Sequence, residues 1–108
     1  DAESAAVAVG PRVSLADIKA KIDCRYDATA NMAFANVPVP RAMTTLSLCI
    51  LVMKNGFMVV GKSAPAAPEN FNAELGRKFA YEDAIRQTWQ LEGYLLRDQL
   101  SAGTTQTP

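Results

Sequence analysis

The sequence contains no histidine, only two cysteines, and few aromatic residues, which make up 7% of its 108 positions. Without histidine, the chain lacks the side chain that most often serves as a general base or as a metal ligand. The cysteines form no CxxC pair and are too few for a disulfide framework, so we expect a reduced, cytoplasmic setting. Cys49 lies within an apolar run and is expected to be a small buried residue.

The chain also has no excess of charge of either sign, because 11 Lys and Arg residues balance 11 Asp and Glu residues. Proteins that bind polymeric nucleic acid usually carry a basic excess, since phosphate neutralisation supplies much of their affinity. We therefore expect no polymeric nucleic acid as a partner. A net charge of zero weakens repulsion between copies, which leaves self-association open.

No apolar run in the sequence is long enough to cross a membrane. The longest strongly apolar run is Leu46–Met53, whereas a membrane-spanning helix needs about 18 residues. No basic segment followed by an apolar one marks a signal peptide at the N-terminus. We expect no membrane partner, and the chain length predicts a single domain with a modest core.

The strongest structural signals lie in the second half of the chain. Two β-prone runs, Thr44–Met53 and Phe57–Lys62, flank Asn55-Gly56, which is a strong hairpin signal because both residues tolerate positive φ. The first run is almost continuously apolar, which predicts burial on both faces. A helix would cover one face, and a partner subunit is a natural cover for the other. Gly61 would mark a bulge or a close approach by backbone or ligand.

A hairpin is not stable by itself, so we expect a third strand. The segment 24–43 is hard to interpret, because Val37-Pro38-Val39-Pro40 favours extended backbone. Either a short strand or turn lies between Tyr26 and Ala30, or this segment is a functional loop. The third strand would come from this segment or from another subunit.

Two amphipathic patterns flank the strands. Ser14 fits an N-cap with Asp17 three residues later, and predicts a helix of about ten residues that ends near Asp23. The second pattern begins around Pro68, since proline suits the first helical position, and runs to about Leu100. Its predicted packed stripe consists of Leu75, Phe79, Glu82, Arg86, Trp89, Gly93, Leu96 and Leu100.

Together these patterns predict an α+β fold with a short N-terminal helix, an antiparallel β-hairpin or small sheet, and a long C-terminal helix. We divide the chain into a loose N-terminal arm (1–10), a single α+β domain (11–100) and a flexible tail (101–108). The second helix is longer than the hairpin can cover, so either Gly93 bends it or Leu91–Leu100 reaches another chain. We expect a dimer-based oligomer.

Glu82 and Arg86 lie four residues apart within the predicted packed stripe. On a solvated helix surface such a pair contributes about 0.3–0.5 kcal/mol. One interpretation is an ion pair at the edge of the packed face. The other is an arginine held ready for a phosphate or carboxylate, with Glu82 orienting it.

Three further cations are candidates for an anion site. Arg77 and Lys78 form a basic doublet near the start of the long helix. They belong either to a solvated face or to a site in which Lys78, Arg86 and the helix N-terminus converge on an anion. Arg41 precedes the first strand of the hairpin and could approach the same site from the sheet.

The polar and aromatic candidates also have two interpretations. Asn70 could cap the long helix or contact a base edge, and Phe71 could pack in the core or stack on a base. Trp89 is more often a core residue than a ligand platform. No serine has an evident base, and no P-loop, GxGxxG or metal-ligand spacing is present. We therefore expect neither an enzyme nor a cofactor.

The second half of the chain contains four distinctive motifs: Asn55-Gly-Phe57, Pro68-Glu-Asn-Phe71, Gly76-Arg-Lys78 and Trp89-Gln-Leu-Glu-Gly-Tyr-Leu-Leu96. Together they resemble a family of small tailed-phage proteins that includes Thoeris anti-defence protein one, a cyclic-nucleotide signal sponge. A weaker likeness covers Pro11-Arg-Val-Ser-Leu-Ala-Asp-Ile18, which is similar to the first helix of the family.

The resemblance implies a protein that binds a cyclic ADP-ribose signal, or in some members a cyclic oligonucleotide, made by host immune enzymes. Such a protein withholds the signal from the host effector without cleaving it. The resemblance also implies a dimer or a dimer-based hexamer, with ligand at subunit junctions between strands and C-terminal helices. The alternative is a phage structural or assembly adaptor, in which the helix stripe is only an oligomer interface.

In such a site, arginines would meet the phosphates, an aromatic ring would stack on a base, and an asparagine would help to fix the ligand. Asn70 occupies the asparagine of the Pro-Glu-Asn-Phe motif, and Arg77 and Lys78 occupy the Gly-Arg-Lys positions. The candidate ligand-binding residues are Arg41, Asn70, Phe71, Arg77, Lys78, Arg86 and Trp89.

Overall fold

The computed structural model describes residues 10–105, and their side chains through residue 103. The predicted α+β fold is confirmed. Within the described residues, no helix is long and apolar enough to span a membrane. The elements follow in the order α1 (Leu15–Ala20), β1 (Ile22–Thr29), 3-10 turns at Ala30–Phe34 and Arg41–Thr45, β2 (Ser47–Met53), β3 (Met58–Ser63), a 3-10 turn at Pro68–Asn70, and α2 (Ala73–Thr105).

The three strands form one antiparallel sheet in the order β1-β2-β3. The predicted hairpin turn is confirmed: Gly56 has a φ of 89°, and the Phe57 amide donates to the Asn55 side chain at 2.9 Å. The third strand, β1, comes from this chain rather than from another subunit. It contains Tyr26, where the sequence allowed a short strand or turn. The predicted loose arm falls almost entirely on residues 1–9, which lie outside the described residues.

The first helix is shorter than predicted. Its capping box is confirmed, since the Asp17 amide donates to Ser14 Oγ at 3.1 Å and the Ser14 amide donates to Asp17 Oδ2 at 3.0 Å. The helix ends at Ala20, because the chain enters β1 at Ile22 and pairs there with Met53. A short helix is marginal by itself, so pairing with a strand overrides the helical pattern.

The long helix crosses the inner face of the sheet at an unusually short distance. A Cβ atom added at Gly61 would lie 2.0 Å from the Ala80 carbonyl oxygen and 2.5 Å from the Ala84 amide nitrogen. Glycine at this position therefore allows the backbone of α2 to approach β3, one of the two roles predicted for it. The core between helix and sheet contains Ile18, Cys49, Leu51, Met53, Val59, Ala80, Ala84 and Ile85.

The predicted packed stripe of the long helix is wrong. Leu75 and Phe79 are 48% and 46% exposed, and Glu82 and Arg86 are also exposed. The fully buried residues that face the sheet are instead small, namely Ala80 and, one turn later, Ala84. Large apolar residues determine which helix face a sequence pattern predicts to be packed. In the fold, Gly61 of β3 instead brings the helix backbone close to the sheet, and only the side of the helix with small side chains permits this approach.

The ends of the strands and of the long helix also differ from the prediction. β2 begins at Ser47 rather than Thr44, because the preceding residues form a 3-10 turn. Pro68 opens another 3-10 turn, and α2 begins at Ala73, where the side chain of Asn72 accepts from the Leu75 amide at 3.0 Å. The helix continues to Thr105, beyond the predicted end near residue 100.

Only one face of the sheet is covered within the described chain. Along β2, Ser47, Cys49, Leu51 and Met53 are buried beneath α2, while the residues between them are only partly buried. The prediction of burial on both faces therefore does not hold for a single copy. Burial raises the pKa of the Cys49 thiol, as expected for a small core residue.

Candidate functional site

Two of the predicted site residues lie together in a groove at the start of α2. The 3-10 turn at Pro68–Asn70 leads the chain from the sheet to the helix, and the Phe71 amide closes it by donating to the Pro68 carbonyl at 3.0 Å. The groove has a volume of about 200 Å³, and we call it the Asn70 groove. It is lined by Thr45, Ser47, Ser63, Ala64, Pro65, Asn70, Phe71, Asn72, Leu75, Gly76 and Phe79.

The register of the sheet brings two serines to the Asn70 groove. Ser47 at the start of β2 pairs with Ser63 at the end of β3, so both lie at the same end of the sheet, where these strands begin or end. A Cβ atom added at Gly76 would lie 2.2 Å from Ser47 Oγ. Glycine therefore lets the first turn of α2 approach this hydroxyl group.

The Asn70 groove combines aromatic rings with neutral hydrogen-bonding groups. Phe71 is partly buried and Phe79 is 46% exposed, so the second ring is available to stack on a planar group. The Asn70 side chain is exposed and carries both donors and an acceptor. Such a set suits the edge and face of a nucleobase, although no charged side chain lines the groove.

The predicted cations Arg41, Arg77 and Lys78 do not line the Asn70 groove, but they are close in the sequence to residues that do. Arg77 and Lys78 directly follow Gly76, and both are exposed. Arg41 begins the 3-10 turn that ends at Thr45, another lining residue, and is exposed as well. The charged candidates are therefore within a few residues of the groove along the chain, on segments that open to solvent.

Arg86 lies apart from this groove and has a different partner from the predicted one. Its Nη2 atom is 3.3 Å from Asp83 Oδ1, and its side chain is 68% exposed. The expected pairing with Glu82 is not what the structure shows, because the carboxylate three residues earlier is nearer. Ten residues of helix separate Arg86 from Gly76, a distance of about 15 Å.

Asp83 links α2 to β3. Its Oδ2 atom accepts from the Lys62 amide at 2.9 Å and from Gln87 Nε2 at 3.3 Å. The Lys62 amide, together with the Arg86 and Gln87 side chains, holds the pKa of Asp83 below its ordinary value, against an opposing effect of burial. Any phosphate that binds Arg86 would therefore compete with this carboxylate.

Trp89 is partly buried and packs against the core. This position agrees with the core interpretation of the residue. Trp89 does not line the Asn70 groove.

Sequence reasoning missed a cation that the fold holds against an aromatic ring. The Arg25 guanidinium lies 4.2 Å from the centre of the Tyr81 ring, and Arg25 Nε is 3.0 Å from Asp27 Oδ2. Arg25 and Asp27 are two residues apart in β1, so both project to the same side of the sheet. In the sequence, this pair appears only as two opposite charges spaced two residues apart. The spacing indicates that both side chains share one side only if the segment is recognised as a strand.

A second groove, with a volume of about 460 Å³, lies at the hairpin end of the sheet. An ion pair between Lys21 and Glu92 lies at its edge. These residues are far apart in the sequence, so their meeting depends on how α1 docks on α2. The groove is lined by Lys21, Met53, Lys54, Asn55, Phe57, Val59, Thr88, Leu91, Glu92 and Leu95, none of which is a predicted site residue.

Comparison with known proteins gives one match. The family model described as Phage protein (N4 Gp49/phage Sf6 gene 66) family matches residues 13–100. The chain belongs to this phage protein family. No curated protein and no solved structure matches the chain.

Membership of the N4 Gp49/Sf6 gene 66 family confirms the coarser part of the resemblance, that to phage proteins. The matched range contains all of the residues predicted to bind a ligand. It also contains α1, the whole sheet and most of α2, so the family model describes this fold rather than one motif.

Proposed function

We propose that this phage protein binds and sequesters a cyclic nucleotide immune signal without cleaving it, in the cytoplasm of the infected bacterium. The ligand would be a cyclic ADP-ribose isomer or a cyclic oligonucleotide. The proposal is supported by the Asn70 groove, in which Asn70 and Phe71 share one surface with Ser47, Ser63 and Phe79. An amide, two hydroxyl groups and aromatic rings suit a nucleobase.

The size of the Asn70 groove favours a site that a second copy completes. Its volume of about 200 Å³ is below the range of about 300–1,000 Å³ that is usual for small-molecule sites. Arg41, Arg77 and Lys78 are exposed, are close in the sequence to lining residues, and would supply phosphate contacts to a ligand held between two copies. Arg86 would reach such a ligand from the neighbouring copy, since it lies nearly three turns of α2, about 15 Å, from Gly76.

Sequestration needs affinity rather than chemistry. A nanomolar dissociation constant corresponds to about −12 kcal/mol. Charge-assisted hydrogen bonds contribute about 1.5–3 kcal/mol each, and stacking of a base on an aromatic ring contributes about 1–3 kcal/mol. Three or four such contacts with phosphates and one or two stacked bases would reach the required range in a preformed site.

The test is to mix the protein with cyclic ADP-ribose isomers and, separately, with cyclic oligonucleotides, and then to release the bound material by heating. A sponge depletes the free ligand and returns it intact. Recovery of a cleaved product would instead identify an enzyme. If none of these probes is taken up, the sequestration proposal is wrong.

Variants localise the binding to the proposed groove. Asn70→Ala should weaken uptake by about two- to tenfold, the loss expected for one neutral hydrogen bond, and Phe71→Ala by about five- to a hundredfold, the loss expected for one stacking contact. Asn36→Ala is the matched control, because Asn36 is an exposed asparagine in the loop between the first two 3-10 turns. Equal uptake by Asn70→Ala and Asn36→Ala would exclude the Asn70 groove.

A second candidate function is a phage structural or assembly adaptor. It is favoured by the apolar side chains that the long helix leaves exposed in one copy, namely Leu75, Phe79, Leu91, Tyr94 and Leu95. An adaptor takes up none of the nucleotide probes but assembles with itself or with other phage proteins. The uptake measurement therefore separates the two functions.

A further inference from the structure

The second groove, at the hairpin end of the sheet, has a floor that the fold itself forms, and we call it the hairpin groove. Its buried lining residues are Met53 of β2, Val59 of β3 and Thr88 of α2. The Thr88 hydroxyl donates to the Ala84 carbonyl at 2.9 Å, so this donor is already used within the helix. The groove volume of about 460 Å³ lies within the range of about 300–1,000 Å³ that is usual for small-molecule sites.

Large apolar side chains surround the floor of the hairpin groove. Phe57, Leu91 and Leu95 line it, and they are between 42% and 55% exposed. Phe57 and Leu91 also line a neighbouring groove of about 350 Å³ between β3 and α2. The apolar surface is therefore longer than the hairpin groove alone, which favours an extended apolar chain over a compact ring.

Unused hydrogen-bond donors lie at the turn end of the hairpin groove. Lys54 and Asn55 are consecutive residues of the turn, and both are exposed and line the groove. The Asn55 side-chain oxygen accepts from the Phe57 amide at 2.9 Å, so its NH2 group remains as a donor. Among the side chains that the structure describes, in residues 10–103, Lys54 forms no ion pair.

A second lysine lies beside Lys54 but already has a partner. The Lys54 amide donates to the Lys21 carbonyl at 2.8 Å, which holds the two backbones together. The Lys21 ammonium group pairs with Glu92, and both residues line the hairpin groove. The lining therefore carries two positive charges and one negative charge, and the positive charge that is left over belongs to Lys54.

We propose that the hairpin groove binds a small amphipathic anion, namely an unbranched aliphatic chain that ends in a carboxylate. The chain would cover Met53, Val59 and the half-exposed apolar side chains around them. The carboxylate would accept from the Lys54 ammonium group and the Asn55 amide group, and a hydrogen bond between two charged groups is among the stronger ones. The inference does not depend on the Asn70 groove or on whether that groove binds a nucleotide.

The distribution of polar groups favours this ligand over a nucleotide. The phosphates, hydroxyl groups and base edges of a nucleotide need polar partners along their whole length, since a buried polar group without a partner is costly. In the hairpin groove the floor and most of the surrounding side chains are apolar, and the unused donors of Lys54 and Asn55 lie together at one end. An apolar chain with a single anionic end matches this arrangement.

The first test is a chain-length series, measured by isothermal titration calorimetry below the concentration at which micelles form. The probes are hexanoate, octanoate, decanoate and dodecanoate. Each added methylene group should strengthen binding about fourfold until the groove is full, because its burial removes apolar surface from water. Dodecyltrimethylammonium has the same chain with a cationic head, and it should bind at least about tenfold more weakly than dodecanoate.

Variants place the two ends of the ligand. Lys54→Gln should weaken dodecanoate binding about tenfold, the loss expected for one charge-assisted hydrogen bond at an exposed site. Lys19→Gln is its matched control, since Lys19 is an exposed lysine of α1 that does not line the groove. Phe57→Ser should also weaken binding about tenfold through lost apolar contact. Its matched control is Phe34→Ser, because Phe34 is a 49% exposed phenylalanine in the first 3-10 turn.

The inference is overturned if no carboxylate binds at up to about 1 mM, or if affinity does not depend on chain length. Equal binding by Phe57→Ser and Phe34→Ser, or by Lys54→Gln and Lys19→Gln, would also exclude the proposed site. More than one dodecanoate per chain would indicate general adsorption to exposed apolar surface. If a second copy occupied the groove instead, binding would weaken as the protein concentration rises.

Circular dichroism and thermal melting check that each variant is folded, which is expected because the substituted side chains are exposed. Nucleotide uptake is measured separately on Phe57→Ser and on the wild type. Loss of carboxylate binding with unchanged nucleotide uptake would show that the two grooves act independently, as the inference requires. Loss of both together would place them in one site and would contradict it.

Discussion

Replacing Gly61 with alanine tests the closest contact between the sheet and the long helix. The added methyl group would lie 2.0 Å from the Ala80 carbonyl oxygen and 2.5 Å from the Ala84 amide nitrogen. Both atoms belong to the helix backbone, so no rotamer change can remove the clash. Contacts of a real Cβ atom essentially never fall below 3.0 Å, and helix and strand must therefore separate by about 1 Å or more.

That separation weakens the packing of the whole core layer, because Leu51, Val59 and Ala84 belong to the one core cluster between sheet and helix. Overpacking of a close-packed core typically costs about 1–3 kcal/mol, and a rigid backbone contact places Gly61→Ala at or above the upper end. A small domain has a total stability of about 5–15 kcal/mol. The variant should therefore lose a large fraction of its free energy of unfolding.

The assay is equilibrium unfolding in urea, followed by circular dichroism, with the free energy extrapolated to water. Gly93→Ala is the matched control. Gly93 lies in α2, the helix that Gly61 approaches, and a Cβ atom added there has no neighbour within 4 Å. The control should gain about 0.5–1 kcal/mol, because alanine favours a helix over glycine. If Gly61→Ala were as stable as the wild type, the close packing described for α2 and β3 would be wrong.

Three further changes test other contacts of the fold. Asp83→Asn should lower stability near neutral pH, because the Lys62 amide loses a charged acceptor. Since the pKa of Asp83 is lowered in the folded state, this stability is complete above about pH 4. It is lost as the pH falls through the lowered pKa, so urea titrations of the two proteins should converge there. Arg25→Lys should destabilise the protein by about 0.5–1 kcal/mol, because an ammonium group does not reproduce the stacking of the guanidinium on Tyr81; equal urea midpoints would contradict a stabilising contact. Arg86→Ala should weaken nucleotide uptake with little change in melting temperature, since the side chain is mostly exposed; equal loss of both would indicate a purely structural arginine.

Features encoded by neighbouring residues could be predicted from the sequence. The Asn55-Gly56 turn and the Ser14–Asp17 capping box each depend on residues within one turn of chain, and both are present. Asn70 and Phe71 share a groove partly because they are adjacent in the sequence. For these features local backbone preferences and the tertiary structure agree.

Features set by tertiary contacts could not be predicted. β1 contains Asp23 and Asp27, which disfavour strands, and it forms because β2 offers an edge for pairing. The packed side of α2 depends on Gly61, a residue about twenty positions earlier in the chain. A periodic search for large apolar residues therefore found the opposite side of the helix, where Leu75 and Phe79 are exposed.

The packing of α2 through its small residues also explains why the candidate site and the sheet face that points away from α2 are both open in one copy. Small residues on the packed side of α2 bring the helix backbone to the sheet, and they leave Leu75 and Phe79 on the other side, where Phe79 lines the Asn70 groove. The described residues 10–105 contain one long helix, which covers one face of the sheet, so no part of this range packs over the apolar residues around Ile50 as α2 packs over the other face. Exposed apolar surface of this kind is costly in water. The Asn70 groove lies on the opposite side of the sheet, beside α2, so a cover over these apolar residues would not by itself complete the groove.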